Sequence, residues 1–277
     1  MDDRDVGRLW NENAEAWTRL ARSGYDVYRD RLNTPAFLAM LPDVGGLRGL
    51  DVGCGEGHNT RLIAERGARL AAVDIAEVFI RHAREEEARA PLGIDYRVAS
   101  ALDLPFPDGS FDFVTAVMCL MDMPNVERAV AEAYRVLRPG GFFQFSIMHP
   151  CYDTPHRKNL RNPKGHTYAY EVGGYFETLD GKVEEWTFSA APEDVRKSVA
   201  KFRVPRFTRT LGRWLNLLVE TGFRIERVEE PYPSDAVVEQ CPQVQDAQVV
   251  PYFLHVRVHK PTSVRDNSAG GTPECRG

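Results

Sequence analysis

Cysteine is scarce. Five occur in 277 residues, at positions 54, 119, 151, 241 and 275. They are odd in number, scattered, and show no Cys-x-x-Cys spacing. That excludes a disulfide framework and leaves no zinc site to expect. Free thiols in a reducing compartment are the expected state, so the localisation is read as cytoplasmic. Long apolar runs are also missing: none approaches the roughly 20 residues of a membrane span. The first residues, MDDRDVGRLWNEN, hold charges where a secretory segment would be apolar. Positive charge is not in excess either. The net charge of -5 gives the chain no overall attraction to phosphate, so neither a membrane surface nor a nucleic acid is the expected partner. There is no internal repeat. What remains is an ordinary globular composition, 43% apolar and 27% charged, sufficient for a sizeable core.

The middle of the chain alternates between two periods. Short apolar runs at 47–52, 70–73, 94–98, 111–118 and 142–147 predict buried strands. Helical stretches lie between them, at 60–66 before Gly67, at 77–90 before Pro91, and at 126–137 before Pro139-Gly140-Gly141. Such alternation predicts an α/β fold, a doubly wound and mostly parallel sheet with helices on both faces. A later helix carries Leu211, Trp214, Leu215 and Leu218 on one face and stops at Gly222. Runs at 223–228 and 252–258 bring the expected strands to seven, with a long connection at 231–251 between them.

Two segments break the rhythm. Residues 1–40 read as helical, with Trp10, Ala14 and Trp17 on one face, and are expected to form a lid. Residues 150–207, rich in aromatic and basic side chains, have no clean period and are expected to cap a substrate site within a main domain spanning 41–260. The polar tail, 261–277, is expected to be disordered.

The chemistry-bearing signal is Leu50-Asp51-Val52-Gly53-Cys54-Gly55-Glu56-Gly57, following a strand and opening a helix. Glycines there let the backbone turn sharply and approach a ligand. The spacing is G-x-G-x-G, not the dinucleotide pattern G-x-G-x-x-G. A ligand with an amino-acid end suits it better than a pyrophosphate, with Asp51 accepting from an ammonium group. Asp74, closing the second strand, is placed to take both hydroxyls of a ribose.

With these stretches (LDVGCGEG at 50–57, VDI at 73–75, LDLPFPDGSFDFV at 102–114 and YRVLRPGG at 134–141) the sequence resembles the class I S-adenosylmethionine-dependent methyltransferases, in particular the small-molecule branch that includes quinone-biosynthesis enzymes. The resemblance covers roughly residues 45–147. It implies a sheet order 3-2-1-4-5-7-6 with antiparallel final strands, S-adenosyl-L-methionine as cofactor, and methyl transfer to a small-molecule acceptor. It also implies roles. Gly53, Cys54 and Gly55 border the methionine portion, and Asp51 its amino group. Asp74 holds the ribose and Ile75 flanks the adenine. Ala101 and Leu102 line the adenine edge, Ser100 stands where many relatives carry an adenine-binding Asp, and Met118 lies near the sulfonium. Tyr25, Tyr28 and Arg29 are candidates for the cofactor's carboxylate. Relatives often have His after the fourth strand, where this chain has Met121-Asp122-Met123.

Methyl transfer is an in-line displacement, so alignment and exclusion of water come first. A base is needed only where the nucleophile must lose a proton. His149, directly after the fifth strand, is the candidate base. Cys151 after Pro150 admits a covalent route, and Tyr168, Tyr170, Tyr175, Phe176 and Trp186 are either a pocket lining or the insertion's own core. Two other functions stay open: an RNA methyltransferase, suggested by the basic stretches at 156–161 and 203–213 but lacking an N/D-P-P-Y motif after the fourth strand, and a non-catalytic cofactor-binding module. Nothing in the pattern selects an oligomeric state.

Overall fold

The computed structural model describes residues 1–262. The expectation of a disordered tail lies, from residue 263 onward, outside them. The strands and helices alternate as the two periods require. In chain order they are α1 (Asp3–Arg22), a π-helical turn (Arg29–Asn33), α2 (Thr34–Met40), β1 (Arg48–Val52), α3 (His58–Ala64), β2 (Arg69–Asp74), α4 (Glu77–Arg89), β3 (Asp95–Val98), β4 (Phe111–Val117), α5 (Val126–Val136) and β5 (Leu137–Met148). Then follow β6 (His156–Arg161), β7 (Thr167–Gly173), β8 (Asp180–Trp186), α6 (Glu193–Lys197), β9 (Phe202–Phe207), α7 (Leu211–Thr221), β10 (Arg224–Glu229), α8 (Asp235–Gln240) and β11 (Phe253–His259).

The main sheet runs β10-β11-β5-β4-β1-β2-β3, which is the expected order with β10 and β11 as sixth and seventh strands. One detail differs. β11 pairs antiparallel with both β5 and β10, so β10 runs along with the first five strands and β11 alone is reversed. One face of the sheet is covered by α5 and α7 through Val126, Val130, Ala133, Trp214 and Leu218. The other is covered by α2, α3 and α4 through Phe37, Ile63, Ile80 and Ala83. Both faces are therefore dry, which is why β1, β2 and β4 read as continuous apolar runs.

Residues 150–207 are not irregular. They contain two antiparallel hairpins, β6–β7 and β8–β9. The connection at 231–251 holds α8 and a run of 3-10 turns, Pro242–Gln248. α1 is capped by Asp2 and Asp5 reciprocally and lies between two partners. Trp10 meets Phe79 of α4 at 6.1 Å, and Trp17 meets Phe202 of β9 at 4.8 Å. Asn13, buried in this seam, donates to the carbonyl of Arg203 at 3.0 Å and accepts from its amide at 2.9 Å. Among the described residues, no helix is long and apolar enough to cross a membrane.

Candidate functional site

A cavity of about 710 Å³ opens over the carboxyl ends of β1, β2, β4 and β5. Its floor begins with the loop after β1. Here Gly53 and Gly55 have φ of 66° and 55°, the left-handed region that a side chain resists. A Cβ on Gly53 would lie 2.6 Å from the Cys119 side chain, whereas one on Gly55 would meet nothing within 4 Å. The first glycine is required by packing; the second faces open cavity.

Two buried carboxylates fix this loop. Asp51 accepts from Thr60 Oγ1 at 2.6 Å and from Thr115 Oγ1 at 2.7 Å. Asp74 accepts from the amides of Gly55 and Ala76, each at 2.8 Å. Each oxygen keeps a further lone pair for a ligand. Burial pushes both carboxyls up to about 6. Cys54 also lines the cavity, and burial raises its thiol and that of Cys119, leaving them protonated. Ile75 lines the cavity as well, and it packs beneath Gly7 of α1, where an added Cβ would come within 3.1 Å.

Met118 has φ of 56°, the one positive value at a non-glycine among the described residues, so backbone strain is concentrated at the site. Its side chain lines the cavity and packs with Tyr28, Leu32, Tyr252 and Phe253. Tyr25 and Arg29 reach the cavity too. Arg29 is already engaged, however, donating to Asp30 at 2.7 Å and Glu56 at 3.3 Å. Arg22 holds the other oxygen of Glu56 at 3.1 Å, so the helical N-terminus is clasped to the glycine loop.

Three sequence candidates do not come to the cavity walls. Ser100 Oγ accepts from the Leu102 amide at 3.0 Å, closing a local turn, and Leu102 packs into the main core. Ala99 and Ala101 line the cavity in their place. His149 is 2% exposed and faces away. Its Nδ1 accepts from the Cys151 amide at 3.1 Å, so its Nε2 carries the proton and donates to Glu230 at 2.8 Å. Burial pushes its pKa down. With both nitrogens occupied, it is a strand-end tie and no base for a ligand in the cavity. Cys151 is exposed and is not a cavity residue either. Of the insertion's aromatics, Trp186 lines the cavity; Tyr168 and Phe176 are exposed.

Most of the basic stretches' charges are matched by acids: His156 with Glu171, Arg161 with Asp246, Arg203 with Glu12 and Arg209 with Glu127. Two arginines from these stretches instead form a polar wall inside the cavity. Arg206 donates to Asp153 and Glu184. Arg157 donates to the same pair, at 2.9 and 3.4 Å. Beside them is Asp122, 7% exposed, at the end of the 3-10 turn Leu120–Asp122. Burial, with Asp153 adding to it and Arg206 opposing, pushes its carboxyl well above the usual range. The residue stood in plain view as a departure from a common pattern, but its partners come from distant hairpins that carry no sequence signal.

Comparison with known proteins gives a consistent picture. A family described as "Methyltransferase domain" matches residues 50–145. The demethylmenaquinone methyltransferase of Tropheryma whipplei (strain Twist) is 34% identical over 137 residues, 50% of this chain and 56% of that protein. The 27-O-demethylrifamycin SV methyltransferase of Amycolatopsis mediterranei is 33% identical over 152 residues, 49% of this chain and 51% of that protein. The chain thus spans little more than half the length of these curated relatives. A solved S-adenosylmethionine-dependent methyltransferase from Mesorhizobium loti is 32% identical with a TM-score of 0.66, covering 81% of this chain and 96% of that one.

Proposed function

We propose, since the chain belongs to the S-adenosylmethionine-dependent methyltransferase family, that it binds S-adenosyl-L-methionine in this cavity and transfers the methyl group to a small molecule. The observation that carries the reading is the loop itself. Gly55 opens onto free space where any side chain would intrude, and its amide is fixed by the same Asp74 that closes β2. A cradle without side chains, flanked by two buried carboxylates, suits a ligand with an ammonium group at one end and a ribose diol in the middle. The bound cofactor supplies a methyl group on a sulfonium, open to in-line attack by a nucleophile.

The chain's own residues do the rest. Asp51, Gly53, Cys54 and Gly55 hold the methionine end, Asp51 taking the ammonium. Asp74 takes the ribose hydroxyls, and Ile75 with Ala101 flanks the base. Tyr25 and Met118 close the space around the reacting end. Residues 1–40 act as a lid and 150–207 as a cap, with Trp10, Trp17 and Trp186 excluding water. Desolvation strengthens every charge interaction inside. A small-molecule acceptor is favoured by this enclosure, by the mostly acid-matched basic stretches, and by relatives named for demethylmenaquinone and 27-O-demethylrifamycin SV. The scattered cysteines fit a cytosolic setting.

S-adenosylhomocysteine binds only the folded form in this reading, so it is expected to raise the melting temperature. The stabilisation is about 2.7 kcal/mol at a hundredfold excess over Kd. No shift at saturation, with no heat in calorimetry, overturns the cofactor assignment.

A further inference from the structure

Asp122 is a buried carboxyl with no assigned work. Among the described residues, no hydrogen bond reaches either of its oxygens, yet it is 7% exposed and lines the cavity. A carboxyl on the cavity wall that meets no donor from the described residues has its lone pairs open to a donor on a ligand. The turn that carries it begins after Cys119, whose side chain packs on Gly53. Asp122 therefore belongs to the part of the cavity adjoining the glycine loop. Trp17, Trp186 and Phe188 also line the cavity, packed edge to face with centroids 4.9–5.8 Å apart, an apolar surface on which an aromatic ring can pack.

We propose that Asp122 binds the hydroxyl or amino group of the methyl acceptor, and that the cavity admits an uncharged, ring-bearing acceptor while rejecting a carboxylate. This rests on the methyltransferase reading above. The discrimination follows from the polar wall. Both guanidinium groups are paired with acids, since Arg206 and Arg157 each donate to Asp153 and Glu184. Asp122 and Glu185 add two more acids to the lining. Four carboxyl groups thus face two guanidinium groups, so this wall has no excess of positive charge to offer an anionic acceptor. A carboxylate entering here would lose its water beside a wall whose cations are already paired with acids, an unfavourable exchange in a site of low dielectric. A neutral O–H or N–H loses far less and gains the acceptor that Asp122 offers.

The test uses the protein saturated with S-adenosylhomocysteine and two probes of one shape, 2-naphthol and 2-naphthoate, titrated by calorimetry. The wild type is expected to prefer 2-naphthol by about tenfold or more, and Asp122→Asn, which keeps the size but puts an NH2 donor for the carboxylate where an acceptor oxygen stood, to lose that preference. Asp122→Leu is expected to bind 2-naphthol about tenfold more weakly than wild type. S-adenosylhomocysteine affinity in each variant reports whether the fold is kept, and Asn is the closer mimic should Leu not fold. A wild-type preference below tenfold, the absence of binding included, or one that survives in Asp122→Asn, overturns the proposal. Failure of S-adenosylhomocysteine to bind the wild type would instead bring down the methyltransferase reading.

Discussion

Gly53 and Gly55 look equivalent in the sequence but answer to different constraints. Both have positive φ, yet only Gly53 has a neighbour, Cys119, where a side chain would go. Gly53→Ala is therefore expected to force Cys119 aside and to cost about 1–3 kcal/mol of stability, the usual penalty for overpacking a filled site. Gly55→Ala meets no atoms and should cost about 1 kcal/mol, for the left-handed backbone alone. Its larger effect falls on ligand binding, because the methyl group intrudes on the cradle. Thermal melts and S-adenosylhomocysteine calorimetry on the two variants separate these effects. A Gly53→Ala protein that melts like wild type, or a Gly55→Ala protein with unchanged affinity, contradicts this division. At this scale the sequence was informative where the chemistry is local. Asp51, Gly53, Gly55 and Asp74 lie within one strand–loop–helix–strand unit, so local spacing was enough to bring all four to one cavity, where their ligand roles are the proposal above. His149 misled because position alone puts it at the sheet's carboxyl edge. What turns it away is Glu230, which no local pattern connects to it.

The elements divide in the same way. β1, β2, β4 and β5 are buried on both faces, so their apolar runs declared them. β6 and β8 carry mostly half-buried or exposed positions, and two-stranded hairpins with wet faces leave no alternation to read. Their sequences, HRKNLR and DGKVEEW, look like a basic run and an acidic loop. β9 pairs with β8 and packs Phe202 on Trp17, and specific polar pairing ties it to α1. Asn13 satisfies both backbone groups of Arg203, doing for this strand what another strand would do. Asn13→Ala leaves a partly buried donor and acceptor of Arg203 without their partner, so a loss of about 1 kcal/mol is expected. The Arg203 amide should also exchange with deuterium faster than in wild type, while amides in β1 keep their rate. Unchanged exchange at Arg203 would mean that the helix and hairpin are held by the Trp17 cluster alone.

For the whole molecule, the fold concentrates acids at one mouth. Asp26, Asp51 and Asp74 line the same cavity, and burial pushes each carboxyl up to about 6. The sign for the ligand-free protein follows from linkage. The folded state holds these protons more tightly than the unfolded chain, so their contribution to stability is fully present below about pH 4, the ordinary Asp value, and is lost as pH rises through about 6. At neutral pH the empty site thus carries unfavourable buried charge. A ligand bringing an ammonium group and a ribose diol relieves it, because both favour the ionised carboxylates and lower their pKa values in the complex. Binding then requires protons to leave below about pH 6. S-adenosylhomocysteine affinity is therefore expected to be constant from about pH 7 to 8 and to weaken by about tenfold or more at pH 5, with protons released on binding there. Calorimetry in two buffers of different ionisation heat measures both quantities. Asp74→Asn removes one of the titrating groups and should flatten the dependence while lowering affinity at neutral pH. A Kd unchanged between pH 7.5 and 5, with no proton release, would show that neither Asp51 nor Asp74 meets the ligand as a carboxylate.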